Sequence, residues 1–138
     1  MRFPHTRRGA FGLACCLALF LLAACAYTQS PFARMASSTG SGFAAASYTL
    51  ALLHHDHLTA AYVRSSFVNF QSELQGVDQQ LPSQQGAPDS QTIQRLLALY
   101  RPAMQAVNAP CIDPTCDWGS QIAQLDRASR AFLEAAGT

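Results

Sequence analysis

The chain of 138 residues contains no lysine, and only 12% of its residues are charged. Without a lysine no side chain can form a Schiff base with a carbonyl substrate, and the chain has no Walker-type phosphate loop. Nine arginines oppose eight carboxylates, so the formal net charge is +1. Nucleic-acid binding needs clustered positive charge, and this composition therefore argues against a nucleic-acid partner.

The strict alternation of apolar and polar residues that marks a half-buried strand is also missing, and apolar residues recur instead at helical spacing. The sequence therefore predicts an all-α fold. An alanine-rich segment, residues 43–55, forms the first predicted helix. Thr59 is the predicted N-cap of the second. Its apolar stripe, spaced alternately four and three residues apart, consists of Val63, Phe67, Phe70, Leu74, Val77 and Leu81.

The second half of the chain predicts two more helices. One starts near Asp89 or Ser90 and contains Pro102, which predicts a kink near residues 99–101 or two shorter helices end to end. The last follows Asp117 as its N-cap and ends at Gly137. Each of these helices carries an aromatic residue on its apolar side, and we expect both in the core or at its edge: Tyr100 and Trp118.

The number of helices depends on whether the chain breaks at residues 55–58. With a break the domain is a small up-and-down bundle of four helices; without one it is a three-helix bundle with one long helix. Leu58 and Thr59 make a good start signal, and a helix of about 39 residues is unusual in a small domain. We therefore expect four helices.

The N-terminus has the composition of an export signal. Arg2, Arg7 and Arg8 precede an apolar stretch, residues 9–22, which is followed by small residues. At about 14 residues the stretch is shorter than the roughly 20 that a transmembrane helix needs. A secretory signal peptide is therefore the better interpretation.

The end of that signal, Leu22-Ala23-Ala24-Cys25, resembles the lipobox of bacterial lipoproteins. The resemblance covers residues 1–25 and implies cleavage before Cys25, with a diacylglycerol on its thiol and a further acyl chain such as palmitate. Two or three acyl chains make a permanent membrane anchor. Ala26, where inner-membrane lipoproteins have aspartate, implies an outer-membrane location facing the periplasm if the host has two membranes. The alternative is a plain secretory signal with an incidental cysteine.

The predicted organisation has three parts: a removed signal peptide (residues 1–24), the lipidated cysteine with a flexible tether (25–42), and the helical bundle domain (43–138). The tether is inferred from its Ser/Thr/Gly-rich composition, and fully extended it would span at most about 60 Å. Removal of the signal takes away three arginines, so six arginines and eight carboxylates leave a net charge of −2.

Of the five cysteines, Cys15 and Cys16 leave with the signal and Cys25 carries lipid, which leaves Cys111 and Cys116. In an exported chain this pair predicts a local disulfide, worth about 2 kcal/mol for so short a loop. The alternatives are a redox-active pair, which the CxxC spacing would suit better, and a zinc site, which lacks a second ligand pair nearby.

The most chemically suggestive cluster is His54-His55-Asp56-His57. On a helix His54 and His57 could reach one Zn²⁺, Cu²⁺ or Ni²⁺, with Asp56 or His55 added where the helix opens. In the helical frame of the Val63 stripe, however, His54 points nearly opposite the apolar side and His57 lies to one side of it. We therefore expect an exposed helix end with no metal role, and keep metal binding as the alternative.

No arrangement of nucleophile and base stands out, since Ser65 and Ser66 lie in a helical pattern and Glu73 and Asp78 are isolated. On the last helix we expect local ion pairs on a solvated face, although a binding role is the alternative. The residues concerned are Arg127 and Arg130 beside Asp126 and Glu134.

Together these patterns predict a membrane-anchored envelope lipoprotein that acts as a noncatalytic protein-interaction or accessory module. Its partner is expected to be another envelope protein, and it needs no cofactor beyond the lipid on Cys25. The first alternative is a metal-binding or metal-sensing lipoprotein that uses Zn²⁺ or Cu²⁺ at the histidine cluster. A hydrolase with an unrecognised site is a weaker one.

Overall fold

The computed structural model describes residues 29–137, and this part of the chain contains four long helices and no strand. The prediction of an all-α bundle of four helices is confirmed, and the three-helix alternative is wrong. No helix within this part is long and apolar enough to cross a membrane. The helices are α1 (Pro31–His54), α2 (Ala60–Leu74), α3 (Ser90–Asn108) and α4 (Trp118–Gly137).

The break between α1 and α2 occurs where the sequence predicts it. Asp56 has a positive φ of 57°, a left-handed conformation that short polar side chains tolerate. Thr59 then caps α2, because its hydroxyl accepts a hydrogen bond from the Tyr62 backbone N–H at 3.3 Å. The connection folds α2 back along α1, and the two helices pack against each other.

The flexible tether predicted for residues 25–42 is wrong over residues 31–42, which form the first half of α1. Ser30 caps this helix through a 3.1 Å hydrogen bond from the Ala33 N–H, and Pro31 takes the first helical position, which suits proline. Phe32, Ala36, Thr39 and Gly40 are buried. The domain therefore begins well before the predicted boundary at residue 43.

The small residues of this segment serve close packing. A Cβ added at Gly40 would lie 2.7 Å from Cγ of Leu133 and 3.0 Å from the carbonyl oxygen of Ser129, both on α4. Gly40 therefore allows α1 and α4 to approach closely, and these two helices make the most extensive contact in the bundle. The Ser/Thr/Gly-rich composition that suggested a flexible tether is thus explained by the close contact between α1 and α4.

The start of α1 also contacts the connection between α2 and α3. The Phe32 N–H donates to the Gln85 carbonyl at 3.2 Å. Gly86, at a φ of 82°, lies so close to Ser30 that a Cβ on it would be 2.6 Å from the serine Cβ. Only glycine fits this turn without strain or collision.

The apolar stripe of α2 does not continue as one helix. The helix ends at Leu74, and Gly76 turns the chain with a φ of 80°. Val77 and Leu81 still reach the core from a one-turn helix, Val77–Gln80, and a 3₁₀ turn, Leu81–Ser83. The spacing thus identified five buried residues and the half-buried Phe70, but glycine ended the helix earlier than the stripe.

Helix α3 is continuous through Pro102, so the alternative of two shorter helices is wrong. Burial of Tyr100, Ala103, Ala106 and Val107 on the same face stabilises the helix across the missing hydrogen bond. Its predicted N-cap is confirmed, since the Asp89 carboxylate accepts from the N–H groups of two residues of the first turn, Gln91 and Thr92.

Helices α1 and α4 are antiparallel, because Gly40 faces Leu133 whereas Ser47, later on α1, contacts Asp126, earlier on α4. The Ser47 hydroxyl on α1 donates to Asp126 Oδ1 on α4 at 2.5 Å. Three aromatic rings from three helices meet in the core, with centroids 5.9–6.4 Å apart: Phe43, Tyr100 and Phe132. The Tyr100 hydroxyl donates to the Leu74 carbonyl at 2.6 Å, so the core position expected for this tyrosine is confirmed.

Candidate functional site

The signal peptide, the lipobox and the predicted lipidation site Cys25 lie outside the described residues. They stay predictions from the sequence. The structure bears on the other candidate residues, which fall at two places: the end of the bundle where α1 stops and α4 begins, and the outer surface between α3 and α4.

At the first place His54 has a structural role. Its ring stacks on Trp118, the first residue of α4, with centroids 4.5 Å apart and planes 9° from parallel. Its Nε2 lies 2.9 Å from the Cys111 carbonyl oxygen, to which an N–H there donates. His54 is half-buried, so its expected exposure is wrong. The reason is that the α2 frame does not extend through the break into α1.

The rest of the cluster does not gather around His54. His55, Asp56 and His57 are exposed, and of their side chains only the His55 ring has a hydrogen-bond or aromatic partner among residues 29–137, edge-on to Trp118 at 6.4 Å. Within residues 29–137 no group of three histidine, cysteine or acidic side chains is close enough to share a metal ion. A metal on His54 Nε2 would displace the contact with the Cys111 carbonyl. Metal binding by these residues stays a prediction.

Cys111 and Cys116 form a disulfide in the structure, with Cα atoms 5.8 Å apart. Gln121 of α4 fixes the same loop at both sides, since its Oε1 accepts from the Cys111 N–H at 2.7 Å and its Nε2 donates to the Ala109 carbonyl at 3.0 Å. The loop, His54 and Trp118 therefore form one packed unit. Trp118 is half-buried, as expected for a residue at the core edge.

The carboxylates near the loop have turn and capping roles. Asp113 Oδ1 accepts from the side chain and backbone of Thr115, which lowers the pKa of Asp113. Asp117 accepts from the Ser120 N–H at 3.0 Å, so its predicted role as the N-cap of α4 is confirmed. These hydrogen bonds explain both side chains without a catalytic role.

The second place is a groove between α3 and α4. Two adjoining depressions of about 400 and 380 Å³ share Arg95, Ala131 and Glu134. The walls and floor are largely apolar, and the rim carries three exposed guanidinium groups. We call this surface the arginine groove; its central lining is Arg95, Leu96, Ala98, Leu99, Arg127, Arg130, Ala131 and Glu134.

The local ion pairs predicted for the last helix are not formed. Among residues 29–137 none of the three guanidinium groups of the arginine groove makes an ion pair with a carboxylate. Asp126, one of the expected partners, instead accepts from Ser47. Asp89, at one end of the groove, is engaged in capping α3, and these hydrogen bonds lower its pKa.

Sequence reasoning singled out Arg127 and Arg130 but missed Arg95. The first two are three residues apart on one helix, whereas Arg95 joins them only because α3 lies antiparallel against α4 in one particular register. Pairing between helices leaves no local sequence signal. The spacing of apolar residues alone could have placed Arg95 on the outer side of α3.

In comparisons with protein-family models, curated proteins and solved structures, no match to this chain was found.

Proposed function

We propose that this protein is a lipid-anchored module of the bacterial envelope that binds a partner protein without catalysing a reaction. The observation that supports a binding role is the arginine groove, in which three arginines surround an apolar floor without carboxylate partners among residues 29–137. The lipobox resemblance of residues 22–25 supports the anchor, and Ala26 supports an outer-membrane, periplasm-facing location if the host has two membranes.

The arginine groove has the composition of a protein-binding surface. Arginine is enriched at protein interfaces, and its flat guanidinium group combines a charge with a weakly hydrated face. Along α4 the groove extends from Arg127 to Ala135, which is about 12 Å at 1.5 Å per residue. This length accommodates one short segment of a partner chain.

The start of α1 sets how far the domain can move from its anchor. Six residue steps separate Cys25 from Pro31, so the two Cα atoms are at most about 22 Å apart. The longer tether predicted from composition would have allowed about 60 Å. The bundle is therefore held near the bilayer, and a partner protein must come to it there.

Two measurements test this proposal. Mass spectrometry of the purified protein should find an acylated N-terminal cysteine, absent in a Cys25→Ala variant. A photoreactive phenylalanine analogue at Ala98, in the groove, should form a covalent adduct with one envelope protein in intact cells. The same analogue at Ala61, an exposed position on α2, is the matched control.

An unmodified N-terminus would overturn the anchoring half of the proposal. Adduct formation at neither position, or equally at both, would overturn the binding half, because a specific groove must distinguish Ala98 from Ala61.

A further inference from the structure

The geometry points to an acidic peptide segment as the ligand of the arginine groove: an exposed stretch of the partner protein whose carboxylates pair with Arg95, Arg127 and Arg130, and whose small apolar side chain rests on Leu99 and Ala131. This inference rests on the proposed function and specifies the partner's chemistry.

The distribution of charge supports an acidic ligand. Residues 25–138 carry a net charge of −2, yet three of their six arginines lie around this one groove. Two carboxylates, Glu134 and Asp89, belong to the same lining, so the three arginines leave an excess of one positive charge there. The groove is therefore locally positive on a chain that is acidic as a whole, which attracts negatively charged segments and disfavours basic ones.

The spacing of the arginines suits carboxylates on a single segment. Arg127 and Arg130 are three residues apart on α4, so their Cβ atoms are about 5–6 Å apart. Arg95 faces the same depression from α3. Guanidinium groups bind carboxylates through two parallel hydrogen bonds, so three of them on opposite walls can fix both the position and the direction of a bound chain.

The floor contributes the apolar part of the recognition. Leu99 and Ala131 are half-buried, and Ala98 is exposed beside them. These short side chains leave room for an aliphatic group of the ligand between the charged walls. Burying such a group against the floor removes apolar surface from water, which favours binding.

A concave site favours a peptide over the surface of an anionic membrane. Lipid headgroups present a broad charged plane, which contacts ridges better than grooves. Glu134 within the groove would also repel that plane, whereas a peptide can place an uncharged residue or a hydrogen-bond donor against it. We therefore assign the groove to a peptide and treat membrane binding as an outcome of the test.

A displayed library of random dodecapeptides provides the probe, selected against the full mature chain, residues 25–138. We expect the recovered peptides to be enriched in aspartate and glutamate. Their affinity should fall at least tenfold in the variant Arg95→Gln, Arg127→Gln, Arg130→Gln. A matched triple variant of the remaining arginines, Arg34→Gln, Arg64→Gln, Arg101→Gln, should change it less than twofold, with circular dichroism confirming that both variants fold.

Recovered peptides without acidic enrichment, or equal losses in the two triple variants, would overturn the inference. So would binding of phosphatidylglycerol vesicles by the unlipidated Cys25→Ala chain that depends on the groove arginines. If the analogue at Ala98 captures a protein while the selected peptides are not acidic, only the inferred chemistry fails. If nothing is captured at Ala98, the proposed function itself fails.

Discussion

Gly40 illustrates how one residue sets the distance between two helices. It is buried in the α1–α4 contact, and its missing side chain leaves room for Leu133 and for the backbone of Ser129. A leucine side chain can rotate away from an added methyl group, but a carbonyl group in a helix cannot move without shifting the helix. Substitutions at this position therefore act on the whole contact.

We predict that Gly40→Val lowers the free energy of unfolding by about 1–3 kcal/mol, because overpacking forces α1 and α4 apart. Urea unfolding followed by circular dichroism measures the change. The control is Ser41→Val, at the exposed neighbouring position of the same helix, which should change stability by less than about 0.5 kcal/mol. Equal effects of the two substitutions would show that the close approach at Gly40 is unimportant.

Tyr100 combines burial with a specific hydrogen bond. We predict that Tyr100→Phe costs about 1–3 kcal/mol, because the buried Leu74 carbonyl loses its donor. Tyr62→Phe, at a tyrosine that is 58% exposed, is the control and should be nearly neutral. If urea unfolding gave the same stability for both variants, the hydrogen bond would contribute nothing.

The burial of Tyr100 also predicts that the stability of the fold depends on pH. Burial, and secondarily the charge of Asp78, raises the pKa of Tyr100 above its ordinary value. The stability that the neutral phenol contributes is therefore fully present below the unfolded-state pKa of about 10. It is lost as the pH rises through the higher folded-state pKa. We expect the stability of the wild type to fall above pH 10 more steeply than that of Tyr100→Phe. Parallel profiles would contradict this.

At the scale of elements, the disulfide loop and the end of α1 stabilise each other. The Cys111 carbonyl that accepts from His54 belongs to the disulfide loop, and Trp118 stacks on the same imidazole. A histidine cluster that suggests a metal ligand set in the sequence thus supplies, through one of its members, a structural link between α1 and α4.

We predict that the double variant Cys111→Ser, Cys116→Ser loses about 2 kcal/mol of stability, the loop-closure contribution of so short a loop. His54→Ala should destabilise the wild type. It should destabilise the double variant less, because without the disulfide the loop no longer holds the Cys111 carbonyl in place for His54. Urea unfolding of all four proteins measures this coupling. His57→Ala, at an exposed position, is the control, and an additive His54 effect would argue against the link.

At the scale of the whole molecule, the domain includes the segment that composition predicts to be a tether. We predict that a chain lacking residues 25–42 loses cooperative unfolding, because it lacks the buried side chains of Phe32 and Ala36 and the N-terminal half of α1. A chain lacking only residues 25–28 should unfold as the unlipidated Cys25→Ala chain does. Cooperative urea unfolding of the shorter chain would show that residues 29–42 are dispensable.

Much of this architecture follows from local sequence signals. The parts that do not follow from them have one common cause. Apolar spacing and capping residues predict the four helices, the break before Thr59 and the caps at Asp89 and Asp117, since each is decided within a few residues. Gly40 and Arg95 acquire their roles only when another helix lies against them. Serine and glycine are equally compatible with a loose linker and with a close helix contact, and only the partner helix decides between the two.

The attachment of the start of α1 to the connection between α2 and α3 determines how a mechanical load would enter the domain. Tension on a lipid at Cys25 would reach Ser30 and Phe32 first, and the hydrogen bond from Phe32 to Gln85 would pass part of it to a second point of the chain. A pull at Cys25 would thus be shared between two places in the backbone, and the first turn of α1 would then separate from the bundle less easily.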